Sequence, residues 1–453
     1  MELPEQKSLR IFYAAGPGNV LGTYRHWKEG REDPSQVNLA YSGLFFRQCA
    51  EHGDTALVVS SCRESGYIDD GQFRVRHRCT RFQDAQGVLY HVGQVIAALQ
   101  LIASAVRFRA DVAIVACGTA YWFPLRVLPL FGIRVVPSLH CVLWKKYRRL
   151  GVAPRLIRWL NAGFFRKSAH RILSASRDIS QQLGQITAHK HKPVIPFLPT
   201  YDRRSFDGMP SPEPARRPFR VFYAGRIERN KGVFDLLTIA KRFKQEQVDD
   251  VVFDICGTGS AFDELRDQAA AAGVTDRFLL HGYCNQPVMR QKYAEAHVVI
   301  VPTTTDFVEG FNQVVSEAVL AGRPVITSDV CPAVSYVSGA VLQVPPDDAE
   351  AYGDAILRLR NDPALYQAKL DACRDVQEPF YDISLGWGAA LRDALLPLRV
   401  IHRPRAMTAT IAPPHWTPSA RHGARPATMI TPAAPQTAWS APSATAAAPR
   451  NRL

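Results

Sequence analysis

The residues best suited to chemistry fall in one stretch, "DFVEGFNQVVSEAVLAGRPVITS", residues 306–328. Seven residues separate Glu309, in a turn, from Glu317, about two turns into a helix. Val314, Val315, Ala318 and Val319 make one apolar stripe at helical spacing, Gly322 can end that helix, and Pro324 prevents its continuation. A helix N-terminus therefore lies between two carboxylates. An anion seated there has a hydrogen-bond acceptor at each flank, which suits a molecule with a sugar at each end of a diphosphate. The spacing alone is a weak signal, because a glutamate beside a helix N-terminus serves the dipole and one inside the helix can simply be solvated.

A second stretch strengthens the first. In "GRIERNKG" an apolar run ends at Gly225 and is followed by Arg226 and Lys231, two cations in the loop and early helix at a strand's carboxyl end. Fixed cations there stabilise charge that accumulates on a departing diphosphate more than they stabilise the bound substrate. The turns "CGTGS", with Gly257, and "LHGYCN", with Tyr283, end the next two apolar runs and could hold a base edge through backbone groups. No Asp-x-Asp pair and no His/Asp cluster with metal-ligand spacing occurs, so catalysis is expected to need no metal and no cofactor.

These residues need a scaffold that ends strands in glycine turns and starts helices beside them. The chain offers it twice. "LRIFYAAGPGN" from Leu9 and "FRVFYAGRIERNKG" from Phe219 begin almost alike, each a β-branched and aromatic run that breaks at glycine before an amphipathic segment. The first set of runs ("RIFYAA", "TALVVSS", "DVAIVACG", "IRVVPSLH", "HRILSAS", "KPVIPF") and the second ("FRVFYAG", "VVFDICG", "RFLLHGY", "HVVIVPT", "RPVITS", "AVLQVP") alternate with helical patterns, which predicts an α/β fold of two Rossmann-like units with parallel sheets. Ligands bind such sheets at the carboxyl ends of the strands, so two facing sheets make a cleft. The expected organisation is a first Rossmann-like domain over 1–205, a proline-rich linker over 206–217, a second Rossmann-like domain over 218–376, one more amphipathic helix over 377–400, and a disordered basic tail over 401–453 rich in Ala and Pro.

Together, "YAGRIERNKG…DICGTGS…LHGY…VPTTTDFVEGFNQVVSEAVLAGRPVITS" resembles the nucleotide-sugar domain of retaining glycosyltransferases of family 4, which have the GT-B fold. The likeness is detailed over residues 218–350 and looser before them. It implies that Arg226 and Lys231 bind the donor diphosphate and that Glu317 holds the ribose. Glu309 then contacts the transferred sugar with help from the amides of Gly310, Phe311 and Asn312, and Tyr283 lies near the base. In the first half "VVPSLHCVLW" resembles the family's strand-end histidine segment, making His140 the group that reaches the reaction centre, although a buried, satisfied histidine is the competing reading. "AAGPGNVLG" resembles the loop that closes over the diphosphate, with Gly16 and Gly18 as its close-approach points. Ser176, in a further matching segment, reads as a helix cap. Asn312 stands where many relatives have glycine, and "FLPTYDRRSF" replaces a common Asn-Gly-Val-Asp turn.

The resemblance implies a hydroxyl-glycosylating enzyme of hexosyltransferase type working on a nucleotide sugar, with the acceptor on the first domain, the donor on the second and the 377–400 helix crossing back onto the first; the bulk properties are compatible with two such domains. The net charge of +14 favours anionic partners, and 47% hydrophobic content is ample for two cores. Nine scattered cysteines without a CxxC pair fit a reducing cytoplasm. The polar start and the lack of a long uninterrupted apolar run argue against secretion or a membrane span. Between Asp111 and Asp178 there is no acidic residue, yet residues 145–171 carry nine lysines and arginines among bulky apolar side chains. That composition fits either an interfacial surface on anionic lipid or a solvated face whose apolar members point inward, and no nucleic-acid motif accompanies it; the resemblance, to a family that often glycosylates lipid-linked acceptors, implies attachment at the inner face of a membrane with a lipid-linked or polysaccharide-precursor glycan as acceptor. A nucleotide-sugar epimerase, a Rossmann dehydrogenase and a membrane-bound nucleotide-sugar sensor without turnover are the competing functions.

Overall fold

The computed structural model describes residues 7–62, 64–78, 87–116 and 121–400. The tail from 401, expected to be disordered and basic, lies outside the described residues.

The apolar runs become fourteen strands in two sheets. The first holds β1 (Arg10–Pro17), β2 (Thr55–Ser61), β3 (Gly66–Asp69), β4 (Phe73–Arg78), β5 (Val112–Val115), β6 (Arg134–Leu139), β7 (Ile172–Ser174) and β8 (Val194–Pro196), in the order β3-β4-β2-β1-β5-β6-β7-β8. The second holds β9 (Phe219–Ala224), β10 (Val251–Cys256), β11 (Phe278–Gly282), β12 (Val298–Val301), β13 (Val325–Thr327) and β14 (Val341–Gln343), in the order β11-β10-β9-β12-β13-β14. The second is parallel throughout. The expectation of an equally parallel first sheet is corrected at its edge, where β3 runs antiparallel to β4. An Asp69-Asp70-Gly71 turn joins them, Gly71 taking φ +88°, and Phe73 and Val75 alternate inward along β4.

Sequence order reverses between β1 and β5 in one sheet and between β9 and β12 in the other. Crevices open at such points, which places the loops after β9 and β12 at the head of a binding site. The helices used below are α1 (Val20–Lys28), α2 (Tyr41–Glu51), α3 (Gly87–Arg107), α4 (Val152–Lys167), α5 (Arg177–Thr187), α6 (Val233–Gln245), α7 (Phe262–Ala271), α8 (Gln286–Glu295) and α9 (Gln313–Leu320).

Alternation along β9 shows how the second sheet is clad. Phe219, Val221 and Tyr223 enter a core with α6 and α7, while Phe222 and Ala224 enter another with α8 and α9. Each such side chain, fully buried, contributes about 1.5–3 kcal/mol relative to exposure. The helix Trp387–Arg399, near the end of the described chain, packs instead on α2 and β7 of the first half, with Trp387, Leu391 and Leu395 in its core. Arg399 reaches Asp54 by two bonds of 2.7 and 2.5 Å, both side chains almost wholly buried. The two chain segments that run between the halves lie side by side, Leu198 N–H donating to Leu385 O and Tyr201 N–H to Phe380 O.

Candidate functional site

The turn after β12 brings Glu309 against the loop after β9. Lys231 lies in a 3-10 turn, Arg229–Lys231, rather than in α6 itself, and Gly232 follows with φ +73°. A Cβ on Gly232 would stand 1.9 Å from Pro302 O, so only glycine lets the two loops approach. Lys231 Nζ then donates to Glu309 Oε2 at 2.8 Å, and both side chains are largely buried. Asn312 Nδ2 donates to the same oxygen at 3.0 Å and Gly310 N–H to Oε1 at 3.2 Å. Phe307 lies beneath the cations, with Lys231 Nζ 3.7 Å and the Arg226 guanidinium carbon 5.5 Å from its ring centroid. Arg226 is otherwise exposed and pairs with Glu228 at 2.8 Å.

Asn312 occupies the left-handed region at φ +72° immediately before α9. Glycine or asparagine adopts that conformation most readily, so the departure at this position preserves the turn and adds an amide on Glu309. Within the described residues the N–H groups of Phe311 and Asn312 make no hydrogen bond, which leaves them to face an anion with the α9 dipole. The Phe311 ring points the other way, into the core against Tyr336 and Phe380.

Glu317 is more enclosed than a ligand-facing carboxylate on an open crevice wall. It is buried, with Tyr293 OH of α8 donating to Oε2 at 2.8 Å, and burial raises its pKa to about 7. Two buried tyrosines, Tyr293 and Tyr201, enclose it. The Gly257 N–H is taken by Gly282 O at 2.7 Å. A Cβ there would lie 1.8 Å from Gly225 O, so this glycine serves close packing of the β9 and β10 ends. Tyr283 stands well out into solvent at the end of β11.

The first half meets this turn through the end of β6. A Cβ on Gly310 would lie 1.7 Å from His140 O, and Val142 N–H donates to Glu309 O at 3.3 Å. The His140 ring sits beside Tyr41 and Phe197 at centroid distances of 4.8 and 5.3 Å. Ser138 Oγ accepts from Trp387 Nε1–H at 2.9 Å and lies 2.8 Å from His140 Nε2. Tryptophan can only donate, so Ser138 Oγ accepts there and keeps its proton and its second lone pair for its other contacts, His140 Nε2 among them. Burial lowers the His140 pKa to about 4, which keeps the ring neutral at pH 7. The histidine is thus both satisfied and at the junction of the halves.

Gly16 and Gly18, at φ +80° and +147°, form the turn into α1. Nothing lies within 4 Å of a Cβ built on Gly18, so this loop borders open space. Ser176 caps α5, accepting from Ile179 N–H at 3.4 Å. A polar pocket of about 220 Å³ spans the junction, lined by Val142, Trp144, Lys146 and Gln182 from the first half and by Phe307, Glu309 and Asp329 from the second. Three of the basic residues expected to face a membrane close this junction instead. Lys146 pairs with Asp329 at 2.6 Å, and Lys145 and Arg148 approach Asp306 at 3.5 and 2.9 Å. The acids are remote in sequence, so the local run appeared to lack partners. Phe307, Tyr293, Ser138 and Trp387 carried no periodic or motif signal that would have singled them out.

Two facing Rossmann-like sheets with a cleft between their strand ends define the GT-B fold. Sucrose-phosphate synthase from Thermosynechococcus elongatus superposes on this chain with a TM-score of 0.61 at 18% identity, covering 86% of this chain and 98% of that one. Anabaena HepE in complex with UDP does so with a TM-score of 0.59 at 15% identity, covering 86% and 99%. Residues 209–373, which contain Arg226, Lys231, Glu309 and Glu317, match the family model of glycosyl transferases group 1. The GtfA subunit of the Streptococcus gordonii UDP-N-acetylglucosamine–peptide N-acetylglucosaminyltransferase is 31% identical over 156 residues, 34% of this chain. That match spans 29% of the relative's own length.

Proposed function

We propose that this chain is a retaining glycosyltransferase of family 4 that moves a sugar from a nucleoside-diphosphate sugar to a hydroxyl acceptor. The observation that carries the reading is the Lys231–Glu309–Asn312 cluster at the N-terminus of α9, set against His140. Match to the group 1 family model and likeness to a UDP-bound GT-B structure support it.

In this reading the donor diphosphate lies on the α9 N-terminus between Arg226 and Lys231, and the transferred sugar meets Glu309 and the Phe311 and Asn312 amides. Lys231 exchanges part of its bond with Glu309 for a phosphate oxygen. The bond from the anomeric carbon to the phosphate oxygen breaks and a bond from that carbon to the acceptor oxygen forms on the same face. The acceptor proton passes to the leaving phosphate. Arg226, Lys231 and the helix dipole absorb the charge, so no metal is needed. Ribose hydroxyls donate to Glu317, and the base lies near Tyr283. Neutral His140, held 2.8 Å from Ser138, presents its ring and its backbone to the reacting sugar. Closure of the Gly16–Gly18 loop excludes water that would hydrolyse the donor.

The acceptor binds the first half and is a lipid-linked or polysaccharide-precursor glycan, with the protein peripheral at the inner face of the cytoplasmic membrane. Arg226→Ala and Lys231→Ala test the leaving-group role. Each is expected to lower kcat by about tenfold or more with a smaller change in KM; unchanged kcat in both variants would remove that role.

A further inference from the structure

Among the described residues of the first half, exposed apolar side chains gather mainly on three elements. Leu89 and Leu99 of α3, Leu130 and Phe131 of the 3-10 segment Phe123–Phe131, and Leu156 and Trp159 of α4 are all exposed, Leu130 by 83% and Trp159 by 71%. The 3-10 segment packs against both helices, so these side chains form one surface. By length and composition α3 is apolar enough to cross a membrane, which the interruptions at His91, Gln94 and Gln100 concealed in the sequence, and 17% of its most apolar window is buried. A continuous apolar surface of this kind marks an interaction site. Arg155 and Arg158 of α4 border it, and no carboxylate lies on α3, the 3-10 segment or α4.

A cavity of about 490 Å³ leads inward from this surface. Tyr90 of α3 and Ile157 and Phe165 of α4 line it, with Leu143 and Ile186 deeper in. Its inner wall is Val142 and Trp144, which also line the polar pocket of Glu309. Val308, the neighbour of Glu309, closes the same end. The Arg158 guanidinium covers Trp144 at 4.9 Å from its ring centroid, a positive charge at the cavity wall.

We propose that this cavity holds the apolar tail of an amphiphilic acceptor with an anionic head group, taken from a bilayer in which α3, the 3-10 segment and α4 lie at the interface. The proposal rests on the glycosyltransferase reading and deepens it. A protein partner would cover the surface but leave the apolar cavity unused, and a soluble glycan would fill neither. A chain entering between α3 and α4 brings its head to the partition of Val142 and Trp144, beside Lys146 and one residue from Glu309. The interfacial surface is then α3 and α4 together, not the 145–148 segment, whose cations pair with Asp306 and Asp329.

The test measures binding of farnesyl phosphate and of uridine, guanosine, adenosine and thymidine diphosphate, separately, to the full chain and to Ile157→Trp, which fills the cavity from α4. Leu143→Trp fills it from the other side and serves if the first variant does not fold. The expected result is farnesyl phosphate binding by the unaltered protein, weakened about tenfold or more by either filled variant, with nucleoside diphosphate binding unchanged. No binding of farnesyl phosphate, or equal binding by folded filled variants, would overturn the cavity proposal while leaving the donor site standing. Failure of the unaltered protein to bind any of uridine, guanosine, adenosine and thymidine diphosphate would overturn the donor reading on which the proposal rests. Leu156→Glu with Trp159→Glu should abolish attachment to phosphatidylglycerol vesicles; undiminished attachment would overturn the interfacial placement.

Discussion

The two halves repeat one design but differ at the glycines of the loops around the site. In the second, Gly232, Gly257 and Gly310 are forced by backbone, since a Cβ at any of them would fall within 2 Å of a carbonyl oxygen. In the first, Gly18 faces open space. The loops of the second half meet neighbouring backbone at contact distance, whereas the Gly18 loop borders open space. The first half takes its stiffness from outside its own sheet, through the helix Trp387–Arg399, whose tryptophan orients Ser138 and through it His140.

The sharpest way to break that contrast is to cut the first half's outside support. Asp54→Asn leaves Arg399 buried beside a neutral amide and is expected to cost about 3–5 kcal/mol, read as the shift of the urea unfolding curve. A cost below about 1 kcal/mol would show that the terminal helix does not brace this half. Next come the glycines themselves. Gly232→Ala should cost about 3 kcal/mol from overpacking and positive φ, and Gly18→Ala only about 1 kcal/mol from backbone strain. Equal costs would erase the distinction between a packed donor wall and an open acceptor loop.

Glu317 gives a titratable probe of the donor wall. Its folded pKa of about 7 lies above the ordinary value of 4.5, so its contribution is fully present below pH 4.5 and is lost as pH rises through 7. Wild type minus Glu317→Gln should therefore fall by on the order of 2–3 kcal/mol across that window, and donor binding to the ionised form should release a proton near pH 6. Calorimetry in buffers of different ionisation enthalpy reads that proton; no release would sever Glu317 from the ligand. The smallest effect belongs to the ion pairs between the halves. Asp329→Ala, which removes the partner of half-exposed Lys146, should cost about 0.2–1 kcal/mol and less at high salt. A larger loss would mean that the halves are clamped rather than hinged.

The sequence made the second half more legible than the first because its signals are local. Strand runs, glycine ends, the α9 stripe and the stop at Gly322 all lie within short windows, and the structure places Arg226 and Lys231 over the Phe307 ring with Glu309 on Lys231. What escaped depends on residues far apart in the chain. Asp306 and Asp329 neutralise Lys145, Lys146 and Arg148, Trp387 fixes Ser138, and Tyr293 encloses Glu317, none of them visible in a window around the residue affected. The β3–β4 hairpin had a local signal in Asp-Gly flanked by alternation, but it is short and sits at a sheet edge. The polar interruptions in α3 likewise hid a surface that only the fold shows to be exposed.

The most direct test is release of free nucleoside diphosphate from a panel of nucleotide sugars, with chelator present and with Glu309→Ala beside the unaltered protein. The account predicts slow hydrolysis of one donor, faster with an acceptor and lost in the variant. Tight binding of a donor with no turnover, persisting when lipid-linked and soluble glycan acceptors are supplied, would contradict it and make the chain a nucleotide-sugar-binding protein.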